Sequence, residues 1–284
     1  MSLDRLVVGT DASPEAMAAA QWAAAVAHRH DAELDLVEAF MPSEAELPPS
    51  RRATLEDEAR ERVRTWLSEL QLDLPFRVFV ELGDAEHVLR RHVQRRGADA
   101  LIIGSKATEG TTSLALGSLA HGLAHHVPCP VVSVPCGDWH LDGGCVVVGV
   151  DGSEGSDIAL RWAADLSEPL HAEVYGVFTV DEIYETFTTP PLDLIERKAR
   201  FTAAVEEARR GVQFVERTAG DIVSGLADES AARHAALLVV GARARGSLGG
   251  LLLGTVPDKL IHEPPCPVAV LPFDFLESQL ERAR

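Results

Sequence analysis

The chain has 284 residues, 46% hydrophobic and 25% charged, which is enough for two ordinary globular domains and excludes a disordered or fibrous protein. Its formal net charge is -18, shared along the chain: 13 basic against 21 acidic residues up to His140, then 13 against 23. Nucleic acid is not an expected partner, because the arginine pairs Arg51-Arg52, Arg90-Arg91 and Arg95-Arg96 are interleaved with acids or carried on amphipathic helical patterns instead of forming a basic stripe.

In chain order, the pattern predicts a strand over Arg5–Gly9, a helix over Pro14–His28, a strand over Glu33–Ala39, a helix over Arg51–Leu70 and a strand over Phe76–Val80. A helix over Asp84–Arg96, a strand over Ala100–Ile103, a helix over Ser118–His126 and a strand over Val131–Val134 complete a βαβαβαβαβ series. Strands apolar on both faces, joined by crossover helices, imply a parallel sheet covered on both sides. No apolar run approaches the roughly 20 residues of a membrane span, and no signal-peptide pattern precedes the first strand, so a cytoplasmic protein without a membrane partner is expected. Four cysteines without a Cys-x-x-Cys pair agree with a reducing compartment.

The series then repeats. "RLVVGTDASPEA" returns as "CVVVGVDGSEGS", which sets Asp11 on Asp151; Gly83-Asp84 returns at Gly220-Asp221, "LIIGS" as "LVVGA" and "HVPCPVVSV" as "EPPCPVAVL". Two copies of this length are duplicated domains, expected at residues 1–137 and 143–284, the second with a short C-terminal tail. The boundary falls in "CGDWHLDGG", where glycine and aspartate break the apolar pattern.

Open parallel sheets bind ligands beyond the carboxyl ends of their strands, where the strand order reverses. The loops after the first and fourth strands of each copy are the candidates. After the first, "DAS" and "DGS" place Ser13 and Ser153 as helix N-caps and leave Asp11 and Asp151 either as plain turn residues or as carboxylates for a ribose hydroxyl or a divalent cation. After the fourth strand of the second copy comes "GARARGSLGGLLLGT". Its glycines allow close backbone approach, and the helix that follows offers unpaired N–H groups, an anion site most often used for phosphate. Thr255 is expected to cap that helix, with Asp258 as capping-box partner; a glycine-rich turn with a well-capped helix is the alternative reading.

At these residues each half resembles a universal stress protein domain, a Rossmann-like α/β family whose ATP-binding members carry Gly-x2-Gly-x9-Gly-Ser/Thr after the fourth strand. Gly241, Ala244 and Gly254-Thr255 fit that spacing, as do Gly104, Ala107 and Gly117-Ser118. The resemblance implies two tandem Rossmann-like domains of the adenine nucleotide alpha hydrolase-like kind, each a five-stranded parallel sheet with helices on both faces, pairing as an intramolecular pseudo-dimer, with a homodimer as a further option. It implies an adenine nucleotide as partner, ATP as cofactor with Mg2+ as a companion ion, and a regulatory stress protein, not an enzyme. In the second domain the site would use Asp151, Gly152, Phe178, Thr179, Gly241, Arg243, Ala244, Gly254 and Thr255; in the first, more weakly, Asp11, Gly104, Lys106, Ala107, Gly117 and Ser118. The second copy is expected to bind better, since its loop offers Arg243, Arg245 and extra glycines where the first has Glu109, and Phe178 stands where the first has Glu38.

Both copies depart from the pattern at one position, with Ala107 and Ala244 in place of the second glycine; if that position needs positive φ, alanine costs roughly 1–2 kcal/mol. The alternative is therefore a nucleotide-independent interaction protein, and an ATP-hydrolysing enzyme is a third reading for which neither glycine loop supplies a base or nucleophile. His121, His125 and His126 share a short helix without a nearby carboxylate or cysteine and read as an exposed face, so no metal site is expected. Trp22 and Trp162, equivalent in the two copies, read as packing residues.

Overall fold

The computed structural model describes residues 3–41, 49–70, 72, 74–105, 118–182, 192–207, 211–242 and 254–283. They fall into two compact units that divide between Asp138 and Trp139.

The first unit contains β1 (Arg5–Thr10), α1 (Pro14–His30), β2 (Glu33–Phe40), α2 (Pro49–Glu69), β3 (Phe76–Leu82), α3 (Ala85–Arg96), β4 (Ala100–Ser105), α4 (Ser118–His126) and β5 (Val131–Pro135). All of its strand pairs are parallel, in the order β3-β2-β1-β4-β5. The second unit repeats this with β6 (Cys145–Gly149), α5 (Glu154–Ser167), β7 (Glu173–Asp181), α6 (Leu192–Glu207), β8 (Val212–Ala219), α7 (Ile222–Ala232), β9 (Leu237–Gly241), α8 (Thr255–His262) and β10 (Val268–Leu271), in the order β8-β7-β6-β9-β10. Each unit is the expected Rossmann-like domain, with its order reversing between β1 and β4 or between β6 and β9. The residues read as a C-terminal tail form a helix, α9 (Phe273–Ala283), which buries Phe275 and Leu276.

The central strands are buried on both faces: Val7, Val8, Leu101 and Ile102 in one sheet, Val146, Val147, Val148, Leu237 and Leu238 in the other. Trp22 and Trp162 are buried, as packing residues should be. The repeated Gly-Asp pair is a local device. Gly83 takes φ +148°, and Asp84 and Asp221 cap α3 and α7, each accepting from N–H groups of the first turn.

Strand β2 departs from the apolar expectation. Asp35 and Glu38 are fully buried within it, at 0% and 1% exposure. They are tolerated because arginines reach them: Asp35 accepts from Arg77 Nε at 2.8 Å and Arg96 Nε at 3.0 Å, and Glu38 from Arg62 of α2.

Candidate functional site

The β6–α5 turn is built by its own short side chains. Asp151 Oδ1 accepts from Ser153 N at 3.0 Å, and Ser153, the N-cap of α5, accepts from Ser156 N at 3.2 Å. Gly152 between them sits at φ +74°, and a Cβ there would meet the Arg197 carbonyl at 2.6 Å. The first domain copies the turn with Asp11, Ala12 and Ser13, and alanine takes the left-handed conformation at φ 59°.

At the switch point of the second domain lies a cavity of about 410 Å³, within the range of small-molecule sites. Asp151 and Ser153 form one wall and Gly241 and Ala242 another. Val177 and Thr179 of β7 face it, with Leu226 of α7 beneath and Gly254, Thr255 and Val256 at the start of α8. Thr179 Oγ1 is buried without a hydrogen-bond partner. Arg197 of α6 also lines the cavity, its Nε donating to the Asp151 carbonyl at 3.2 Å and its guanidinium lying 5.6 Å from the Phe178 ring centre. The lining comes from six separate segments that meet where the strand order reverses.

Two expectations are corrected. The side-chain contrast expected between Phe178 and Glu38 at a base pocket is not seen: the Phe178 side chain is fully buried and stacks on Phe201 of α6 at 5.0 Å, because alternation along β7 sends residues 177 and 179 one way and 178 the other, and only the strand backbone at Phe178 stays a candidate beside Thr179. By the same alternation Glu38 lies against Arg62 of α2 and is not an acid beside a base pocket. Burial pushes the Glu38 carboxyl above its usual range, opposed by Arg62 and reinforced by Asp11. Second, Gly254, not Thr255, caps α8, and no side-chain capping bond forms. Among the described residues nothing caps the N–H groups of Thr255 and Val256, which have no partner within the helix, and Pro257 has no N–H to offer.

Gly241 and Gly104 occupy equivalent strand ends with different surroundings. A Cβ at Gly104 would lie 2.5–2.7 Å from the Glu15 and Ala16 backbone, so glycine is required there by close packing of α1. At Gly241 the nearest atom is the Gly155 carbonyl oxygen at 3.5 Å, an ordinary contact. The cleft between strand end and first helix is thus tighter in the first domain than in the second. Ser118 begins α4, while Arg243, Ala244, Lys106, Ala107 and Gly117 lie outside the described residues.

Sequence reasoning missed Arg197, Val177 and Leu226. Alternation along β7 would have found Val177, whereas nothing in a charged helix distinguishes Arg197 from its neighbours. Among the described residues no three His, Cys, Asp or Glu side chains converge as metal ligands, and no helix is long and apolar enough to cross a membrane.

Comparison with known proteins gives the same architecture. Residues 2–135 and 145–272 each match the Universal stress protein family. A universal stress protein of Mycobacterium tuberculosis is 28% identical over 285 residues, covering 93% of this chain and 95% of its own; one of Mycobacterium bovis is 27% identical over 297 residues, covering 93% and 96%. Among solved structures, a universal stress protein from Archaeoglobus fulgidus superposes with a TM-score of 0.66 at 16% identity, over 96% of this chain and 99% of the other. Two matched domains in succession, each with the strand order and turn chemistry described above, settle the assignment: the chain belongs to the universal stress protein family.

Proposed function

We propose that the second domain binds an adenine nucleotide, ATP first, as a regulatory ligand that it does not turn over. The observation that carries this reading is the switch-point cavity, lined by both Asp151 and the start of α8, where no side chain caps the helix. The residues fit the ligand. Backbone N–H groups at Thr255 and Val256 suit phosphate oxygens. The carboxylate of Asp151 suits ribose hydroxyls or a companion Mg2+, and the unpaired Thr179 hydroxyl suits a heterocycle nitrogen.

The first domain is the weaker binder in this reading, because α1 packs against Gly104 where the second domain leaves Gly241 open to the cavity. The wall supports a ligand that is held and not turned over: Asp151 and Arg197 are the only ionisable side chains among its described residues, and backbone donors position and neutralise phosphate without activating water. Mass spectrometry of nucleotide released from the purified protein tests the ligand, and incubation with ATP tests its fate. ATP is expected back unchanged. Hydrolysis approaching the ordinary enzyme median of about 10 per second, abolished by Asp151→Ala, would overturn the second half of the proposal.

A further inference from the structure

Helix α4 carries histidines at 121 and 125, one turn apart on the same face, since residues four apart are neighbours on a helix. Their Nε2 atoms stand 3.2 Å from each other, with ring centres 4.7 Å apart, and both side chains are half-buried. A Zn2+ ion bound at about 2.0–2.1 Å to nitrogens so spaced would have an N–Zn–N angle of about 100–106°, near tetrahedral. We propose that His121 and His125 chelate a divalent transition metal, Zn2+ being the ion that their spacing fits best.

A second observation places negative charge at this turn. The Glu86 carboxylate of α3 packs over Gly122, with its Cδ 2.8 Å from where a Cβ would stand, so glycine at 122 is what admits a carboxylate to the turn of α4 that carries His121. An anion there lowers the cost of holding a dication. The second domain keeps only one of these positions: Asp258 and Lys259 stand where His121 and Gly122 do, Val223 where Glu86 does. His262, the counterpart of His125, turns its Nδ1 to the Asp258 carbonyl at 2.7 Å. The site is therefore a property of the first domain alone and is separate from the nucleotide reading. With two protein nitrogens as ligands, water completes the coordination, which makes an exchangeable site and not a structural one.

The test is Zn2+ titration of the full-length, chelator-stripped protein by calorimetry, with His121→Gln, His125→Gln and His126→Gln side by side. One equivalent should bind tightly to the wild type and to His126→Gln, and at least tenfold more weakly to the other two. A tight equivalent that survives both His121→Gln and His125→Gln, or a wild type that binds Zn2+ no better than they do, overturns the proposal. Hydrogen exchange on the wild type, with and without Zn2+, needs no variant: slowed exchange confined to α4 is expected, and unchanged protection there contradicts the site.

Discussion

Within their Asp-x-Ser triplets the β–α turns of the two domains differ by a single methyl group, Ala12 against Gly152, at backbone angles only glycine adopts freely. Left-handed alanine costs roughly 1–2 kcal/mol, and the cost is met by the Asp11 and Ser13 hydrogen bonds that fix the turn. Ala12→Gly should therefore stabilise the protein by about 1 kcal/mol in denaturant unfolding. Gly152→Ala should destabilise it by more than that, since its new Cβ also meets the Arg197 carbonyl. Equal and small effects in both directions would show that the turn geometry is not what holds these positions. The Asp-x-Ser pattern was legible because capping is a local matter of three residues. That an alanine shares the glycine's conformation was not, because the side-chain type gives no sign of it.

At the scale of elements, the polar layer between β2, β3 and α3 distinguishes the first domain. Burial raises the Asp35 carboxyl, but hydrogen bonds from Arg77, Arg96 and His92 outweigh it and hold the group below its usual range. A carboxyl depressed on folding contributes stability above its unfolded value of about 3.9, and that stability is lost as pH falls through the folded one. Unfolding free energy should accordingly decline as pH drops below about 4. Asp35→Asn should flatten that decline and cost about 3 kcal/mol at neutral pH, the lower end for breaking a buried pair because the arginines are partly solvated. An unchanged acid limb in Asp35→Asn would place the titrating group elsewhere. The second domain inverts the layer: Glu229 on α7 accepts from Arg217 and Arg233 at 2.6 Å each, and Arg233 lies 3.7 Å from the ring centre of Tyr175, the residue in Asp35's place. Helix and strand periodicity made the elements legible to within a turn at most ends. Hydropathy could not show these buried charges, because their partners come from strands and helices distant in sequence.

For the whole molecule, duplication supplies two switch points and divergence makes them unequal. The repeat, the succession of parallel strands and helices and the Asp-x-Ser turns were readable because they recur at fixed spacing. The cavity wall was read less well: the contrast of Phe178 and Glu38 side chains failed on strand alternation, and Arg197 reaches the cavity from a helix whose packing no local pattern announces. The central claim is that the two adenine-nucleotide sites are unequal, the second domain holding the tighter one. Calorimetric titration of ATP into the full-length protein, with Asp151→Ala and Asp11→Ala as a matched pair, tests it most directly, since both variants lose the same turn hydrogen bond and only one lines the cavity. The account predicts one tight ATP per chain, whose affinity is lowered at least tenfold, about 1.4 kcal/mol, by Asp151→Ala but scarcely by Asp11→Ala. Two equal sites, a loss confined to Asp11→Ala, or no binding to the wild type would contradict it.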